Sequence, residues 1–324
     1  MNVPSIDIYV TYKCNFRCSH CFVGDALELG THMPFQMLQK ILKTCHEWQT
    51  HQVTFLGGEP TLYPDLARAI SEATALGLQT RLVTNGSGAF LRFARENLSL
   101  LRETLICFSI DGADAHEHDM LRQLGSFSSL RASITFAQAH ELHISGIISL
   151  TSSSVRSAPA IIKRCEDFGL SYINVHYVTA RGACHSSLVP EIDDWLSAYR
   201  AMTSQSQNSR VEVRVEETFR RTDQCTGGCA VRDRNNLMFF PDGRVFMCLL
   251  FLDVPKSNAF FWTDQGLIVN PSATSEIEFA KVTSKIHCPA FHLVSPTRAE
   301  QAKEQGYFVP CIYEKRIINS GKTV

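Results

Sequence analysis

Between residues 5 and 180 the sequence alternates apolar, β-branched runs with helix-period segments, six times over. Runs at 6–12, 52–56, 79–84, 105–110, 144–150 and 172–178 read as strands, with helical patterns at 34–49, 63–76, 90–102, 127–142 and 158–168 between them. In the first helix Phe35, Leu38, Ile41, Leu42 and Cys45 share one face, and the second closes at Gly77. Repeated β/α units with short links build parallel strands and crossover helices. An open doubly wound sheet would gather its unusual polar residues at one switch point. Here Cys14, Gly57, Gly58, Glu59, Pro60, Asn85, Asp111 and Asn174 fall at or just past many strand ends, where a barrel builds its active site. The expected fold is therefore α/β, a partial (β/α)6 TIM-like barrel over residues 1–185.

Past residue 185 the pattern changes. A helix at 190–202, a Ser/Gln/Asn-rich stretch at 203–209 and a possible strand at 211–215 make 186–224 a connecting segment. Runs at 237–240 and 245–251 flank Pro241-Asp242-Gly243 and read as a hairpin. The remainder of 225–324 is loop-rich with spaced cysteines, a small domain that a metal would have to staple. Two domains suit 324 residues. Lys+Arg 31 against Asp+Glu 32 gives no basic excess to point to nucleic acid. The longest apolar stretch, 237–252, is broken by its Pro-Asp-Gly, so no bilayer span is expected. The N-terminus lacks a basic segment followed by an apolar one, and cytoplasmic localisation is the expectation.

Twelve cysteines are many for such a chain, and in a reducing compartment clustered cysteines point to metal or redox chemistry. Cys14, Cys18 and Cys21 form a C-x3-C-x2-C loop directly after the first strand. Three thiolates on one tight loop suit three irons of a [4Fe-4S] cluster and leave the fourth iron open. A closed zinc site would want a fourth ligand, and His20 lies inside the loop, badly placed to close a tetrahedron. Cys45, Cys107 and Cys165 read as small core residues, and Cys184 as a surface loop thiol.

The triplet, followed one β/α unit later by Gly57-Gly58-Glu59-Pro60, resembles the radical S-adenosylmethionine (radical SAM) superfamily over about residues 5–180. That resemblance implies that the open iron binds the amino and carboxylate groups of SAM, which reductive cleavage turns into methionine and a 5′-deoxyadenosyl radical. It implies close backbone approach to SAM at Gly57 and Gly58, a carboxylate for the SAM ammonium at Glu59 and a fixed turn at Pro60. His20 and the Phe22 backbone are placed by it near adenine. Asn85, Ser109, Asp111 and Arg122 are placed near ribose and carboxylate. Ser149 and Thr151, and Asn174 and His176, have the period-two spacing to point into a barrel, and Ser149 and Asn174 are the pair expected to touch SAM.

The C-terminal cysteines, Cys225, Cys229, Cys248, Cys288 and Cys311, with the Gly243-x4-Cys248 step, resemble the SPASM/twitch extension of that superfamily. One auxiliary Fe–S cluster is implied, on Cys229, Cys248 and Cys288 with Cys225 or Cys311 as the fourth ligand. Cys225 or Cys311, if left over, is a candidate hydrogen-atom donor to a substrate radical. The expected function is hydrogen abstraction from a peptide or peptide-derived substrate, giving epimerisation, a cross-link or oxidation. A dehydrogenase or epimerase acting on an amino sugar or another small natural-product precursor is the second reading, and a non-catalytic metal-thiolate protein the third. A dinucleotide-binding oxidoreductase is excluded because no G-x-G-x-x-G follows a strand. The first strand begins near Ile6, so no peptide-recognition domain is expected ahead of it, and a leader peptide would need a separate binding protein. Flavodoxin or ferredoxin is the expected electron donor.

Overall fold

The computed structural model describes residues 3–221, 236–272, 288–312 and 315–319. Seven strands run parallel in chain order: β1 Ser5–Thr11, β2 Gln52–Gly57, β3 Gln79–Thr84, β4 Thr104–Ser109, β5 Ile144–Leu150, β6 Tyr172–Tyr177 and β7 Glu212–Glu216. The crossovers carry α1 Phe35–Glu47, α2 Leu66–Ala75, α3 Gly88–Glu96, α4 Leu98–Leu101, α5 Ala115–Leu121, α6 Ser126–Ala139, α7 Ala158–Asp167 and α8 Ile192–Ser206. The β/α alternation legible in the sequence is thus the observed one, with a seventh parallel strand at the weak run near 211.

Strand alternation separates two environments. On β1, Ile6, Ile8 and Val10 are buried in the apolar core, while Ser5, Asp7 and Tyr9 line an interior cavity. Helix α1 buries Leu38, Ile41, Leu42 and Cys45 in that core, and α2 stops where Gly77 takes φ +76°. Cys45, Cys107 and Cys165 are fully buried, as expected.

The expected divisions at 185 and 224 do not interrupt the sheet. Strand β7, inside the stretch read as a connector, pairs with β6, and α8 takes in part of the polar stretch after 203. After the short β8 Arg220–Arg221 comes β9 Asn236–Phe239, which pairs parallel with β1 on the side away from β2. Then β10 Arg244–Phe246, β11 Phe260–Thr263 and β12 Gly266–Val269 extend the same sheet antiparallel. The hairpin expected around Gly243 is β9–β10, with Gly243 at φ +82°. Strand β13 Tyr307–Phe308 pairs with β8, and β14 Lys315–Ile317 pairs antiparallel with β7. Two short helices, Pro289–Val294 and Pro296–Glu304, precede β13. The C-terminal segment therefore flanks the barrel strands at both ends. Among the described residues no helix is long and apolar enough to cross a membrane.

An aromatic stack fastens that addition. Phe240, fully buried just after β9, lies on the Tyr9 ring at 4.3 Å between centroids and 8° between planes. Phe240→Ala is expected to destabilise the chain by about 3–5 kcal/mol in denaturant unfolding; a loss below about 1 kcal/mol would show that the stack does not hold the segment to β1.

Candidate active site

The loop that follows β1 is closed at its base, where Tyr12 N–H donates to Thr31 O and Met33 N–H to Val10 O, both at 2.8 Å. Three further contacts hold its far side. Ser19 N–H donates to Leu121 O at 2.9 Å, Ala183 N–H donates to Cys21 O at 2.8 Å, and Asn85 Nδ2 donates to Asn15 Oδ1 at 3.0 Å. Gly182, at φ +57°, makes the second possible, because a Cβ there would meet Cys21 O at 2.5 Å. Cys14, Cys18 and Cys21 on this loop all line a cavity of about 670 Å³ inside the barrel.

Burial pushes the Cys14 thiol up to about 12 despite the N–H of Phe16 aimed at its sulfur at 3.4 Å, and it raises Cys18 against the pull of the Arg122 guanidinium. Loading a metal must therefore displace protons from these thiols. The thiols line one wall, yet among the described residues no three His, Cys, Asp or Glu side chains converge on one point as a single ion needs. A wall of separate thiolates fits a cluster, in which each takes its own iron. An N–H directed at a ligating sulfur fits it too.

The Gly57-Gly58-Glu59-Pro60 turn meets the loop directly. A Cβ on Gly57 would lie 2.5 Å from Thr11 O, and one on Gly58 2.8 Å from Cys14 Cβ. These glycines are dictated by the chain's own packing, a reason beyond ligand approach. Glu59 is fully buried, and burial raises its pKa; Oε1 accepts from Thr61 Oγ1 at 2.6 Å and Thr84 Oγ1 at 2.9 Å, and Oε2 accepts from Asn85 N–H at 2.9 Å. It lines the cavity already engaged, with Oε2 the less occupied oxygen for an ammonium. Pro60 is buried, opens the turn Pro60–Leu62 and lies off the cavity wall.

Asp111 differs from its expected place. It lies behind the wall, wholly buried, where Oδ2 accepts from Arg122 Nε at 2.6 Å and faces His20 Nε2 at 3.1 Å, and Oδ1 accepts from Ser149 N–H at 2.8 Å. Burial alone would raise its pKa, but Arg122 and then His20 hold it far below the usual carboxylate range. It positions His20, Arg122 and Ser149, which do line the cavity with Phe22, Asn85 and Ser109. Because Asp111 accepts from Nε2, the His20 ring presents Nδ1, which is buried without a partner.

Other expectations change. Asn174 shares its strand face with His176, but only His176 reaches the cavity, held by Glu216 Oε1 at 2.6 Å. Thr151 does not face the barrel: its hydroxyl bonds Ser153 and Ser154 in the turn after β5. Cys184 is buried and pushed up to about 11, so it is no surface thiol. Of the C-terminal cysteines, Cys225 and Cys229 lie outside the described residues. Cys248 and Cys288 each open a short helix, Leu249–Phe251 and Pro289–Val294, and the two helices pack together. Cys311 lies two residues past Val309, whose carbonyl accepts from Cys288 N–H at 2.7 Å, and it alone of the described three lines the cavity. Asp7, Arg81 and Lys315 share the same wall without belonging to any motif; for the first two, a charge at an inward position of a barrel strand is the signal that finds them.

Asp111→Asn leaves Arg122 buried without its counter-charge and is expected to destabilise by about 3–5 kcal/mol at neutral pH. Because the folded-state pKa is depressed, this contribution is full above the unfolded value near 3.9 and fades as the pH falls below it. Urea unfolding of both chains from pH 7 to 3 checks this; a difference that grows toward acid would contradict it.

Comparison with known proteins points to one superfamily. The sequence model of the radical SAM superfamily matches residues 8–152. An S-adenosylmethionine-dependent nucleotide dehydratase of Flammeovirga pacifica is 35% identical over 118 residues, 35% of this chain and 40% of that protein. An AdoMet-dependent heme synthase of Oleidesulfovibrio alaskensis is 27% identical over 208 residues, 60% of this chain and 53% of that protein. Mycofactocin maturase MftC of Mycobacterium tuberculosis is 31% identical over 36% of this chain and 30% of that protein. The chain thus covers about half or less of the length of these curated relatives. Among solved structures, Streptococcus suis SuiB bound to S-adenosylmethionine superposes with a TM-score of 0.66 at 16% identity, over 79% of this chain and 63% of that one. The anSMEcpe structure with bound AdoMet has a TM-score of 0.60 at 18% identity, over 95% and 93%. At these identities the likeness is one of fold, and it reaches across the barrel into the C-terminal segment. Residues 8–152 thus match the radical SAM superfamily, whose members are enzymes that use a [4Fe-4S] cluster and S-adenosylmethionine.

Proposed function

We propose that this chain is a radical SAM enzyme that takes a hydrogen atom from a peptide or peptide-derived substrate inside the barrel. One observation carries the reading: three thiols and the Gly-Gly-Glu turn share the wall of a single 670 Å³ cavity. When bound, the cluster and SAM supply a 5′-deoxyadenosyl radical. Cys14, Cys18 and Cys21 hold the cluster and leave one iron for the methionyl end of SAM. Glu59 Oε2 and the nearby backbone receive the ammonium, and Arg122, fixed by Asp111, carries positive charge beside the thiolates. Tyr9 and Phe22, edge to face at 6.1 Å, supply apolar wall that keeps water from a radical.

Peptide as the substrate class rests on relatives. SuiB is solved bound to the precursor peptide SuiA, anSMEcpe is solved with AdoMet and the Cp18Cys peptide, and MftC is named as a maturase. Cys311 on the wall supports its role as a hydrogen-atom donor in an epimerisation, and Cys248 and Cys288 remain the proposed ligands of an auxiliary cluster, with flavodoxin or ferredoxin as electron source.

Anaerobic reconstitution with iron counting and product analysis tests the reading. About four irons with the N-terminal cluster alone, or about eight with an auxiliary one, are expected. Cys14→Ala, Cys18→Ala and Cys21→Ala each lose 5′-deoxyadenosine formation with dithionite and SAM; retention in all three overturns the assignment. In D2O, solvent deuterium at the reacting carbon of the product, lost in Cys311→Ala, supports the donor role, and protium there opposes it.

A further inference from the structure

We propose that the deep part of the cavity, beneath the strand ends that carry the thiols, binds an anionic group of the substrate, a carboxylate or a phosphate, between Arg81 and Lys315. This rests on the proposed function, in which the cavity holds the substrate, and adds the charge that substrate carries.

Asp7, Thr54 and Arg81 stand in one row across β1, β2 and β3 and all line the cavity. Lys315 enters from β14, paired beside Glu216 of β7, and lines the same space. Two acids and two bases thus meet inside the barrel and act on one another through space, but among the described residues no ion pair joins them. Asp7 accepts from Asn236 Nδ2 at 3.0 Å. Glu216 accepts from His176 Nδ1 at 2.6 Å and Tyr177 N–H at 3.0 Å. Arg81 gives one Nη2–H to Cys107 Sγ at 3.1 Å, and its buried Nε has no partner. Among the described residues neither Arg81 nor Lys315 is ion-paired with a carboxylate. The acids hydrogen-bond to other partners, while Arg81, which also lies over the Tyr172 ring at 6.0 Å and feels Asp7 through space, keeps a buried N–H to offer.

An uncommitted cation away from bulk water is costly. Burial presses the Lys315 amine down, and Arg81 adds to that against the opposing pull of Glu216 and Asp7. An anion set between them removes the mutual repulsion, uses the open Arg81 N–H groups and leaves the two carboxylates on their present partners. A guanidinium and an ammonium lining one space also suit the oxygens of a carboxylate or a phosphate. A peptide offers such a group in an acidic side chain or its terminus, and a phosphorylated small molecule offers the other.

Titration calorimetry of the reconstituted, SAM-loaded protein with inorganic phosphate and with acetate, at constant ionic strength against chloride, tests this. At least one of the two is expected to bind saturably, and to bind roughly tenfold or more weakly to Arg81→Gln and to Lys315→Gln, with partial recovery in Lys315→Arg. Preference for acetate identifies a carboxylate substrate, and preference for phosphate a phosphorylated one. Binding no tighter than chloride, or equal in wild type and variants, overturns the inference. Lys315 lies on the last strand of the sheet, so its variant reports even where Arg81→Gln does not fold. Wild type that binds the anion but makes no 5′-deoxyadenosine overturns the proposed function alone, and the converse overturns only the anion site.

Discussion

A buried carboxylate holds the active-site wall together. Asp111, at the end of β4, accepts from Arg122 beyond α5, from His20 inside the cysteine loop and from the β5 backbone at Ser149. An isolated charge so deep would be prohibitive, and it is tolerated because every side of it meets a donor. The same bonds fix where the loop sits relative to two neighbouring strand ends. Glu59 plays the matching part on the other flank, joining its own turn to Thr84 and Asn85 of the third strand end. The loop with the thiols thus lies between two buried acids, each of which ties neighbouring strand ends together.

Local signals were enough for the barrel and for the cysteine loop. Parallel strands buried on one face leave β-branched runs, and three cysteines within eight residues leave a motif. What local signals could not carry was pairing at long range. Asn236 lies beside Ser5, and Lys315 beside Glu216, in one sheet; no periodicity announces a strand partner so far away, so the C-terminal segment read as a separate unit. The glycines of the Gly-Gly-Glu turn were legible as a motif, but their packing against Thr11 O and Cys14 Cβ is visible only in three dimensions. Asp111 was placed on the wall because it follows a strand end, yet its side chain turns behind that wall toward Arg122. Arg81 carries no motif of its own, and only its strand neighbours show it facing inward.

The cavity consequently has two chemical ends. The strand termini supply sulfur, a clamped carboxylate and backbone donors, the surroundings for a metal cluster and a sulfonium. The deeper wall supplies charge that the chain leaves partly unmet at its cations. Between them Tyr9, Leu56, Val83 and Ile147 provide apolar lining without exchangeable protons apart from the tyrosine hydroxyl. A substrate held by its charge at one end would offer its C–H bonds to the other.

Hydrogen abstraction in this cavity requires that the wall formed by Cys14, Cys18 and Cys21 carry a cluster with one iron open to SAM. Electron paramagnetic resonance of the reduced protein, with and without SAM, reads this most directly when Cys248 and Cys288 are replaced by Ala so that any second centre is silent. A four-iron signal whose g-values move when SAM is added is expected. A signal indifferent to SAM, or zinc as the only bound metal, would contradict it.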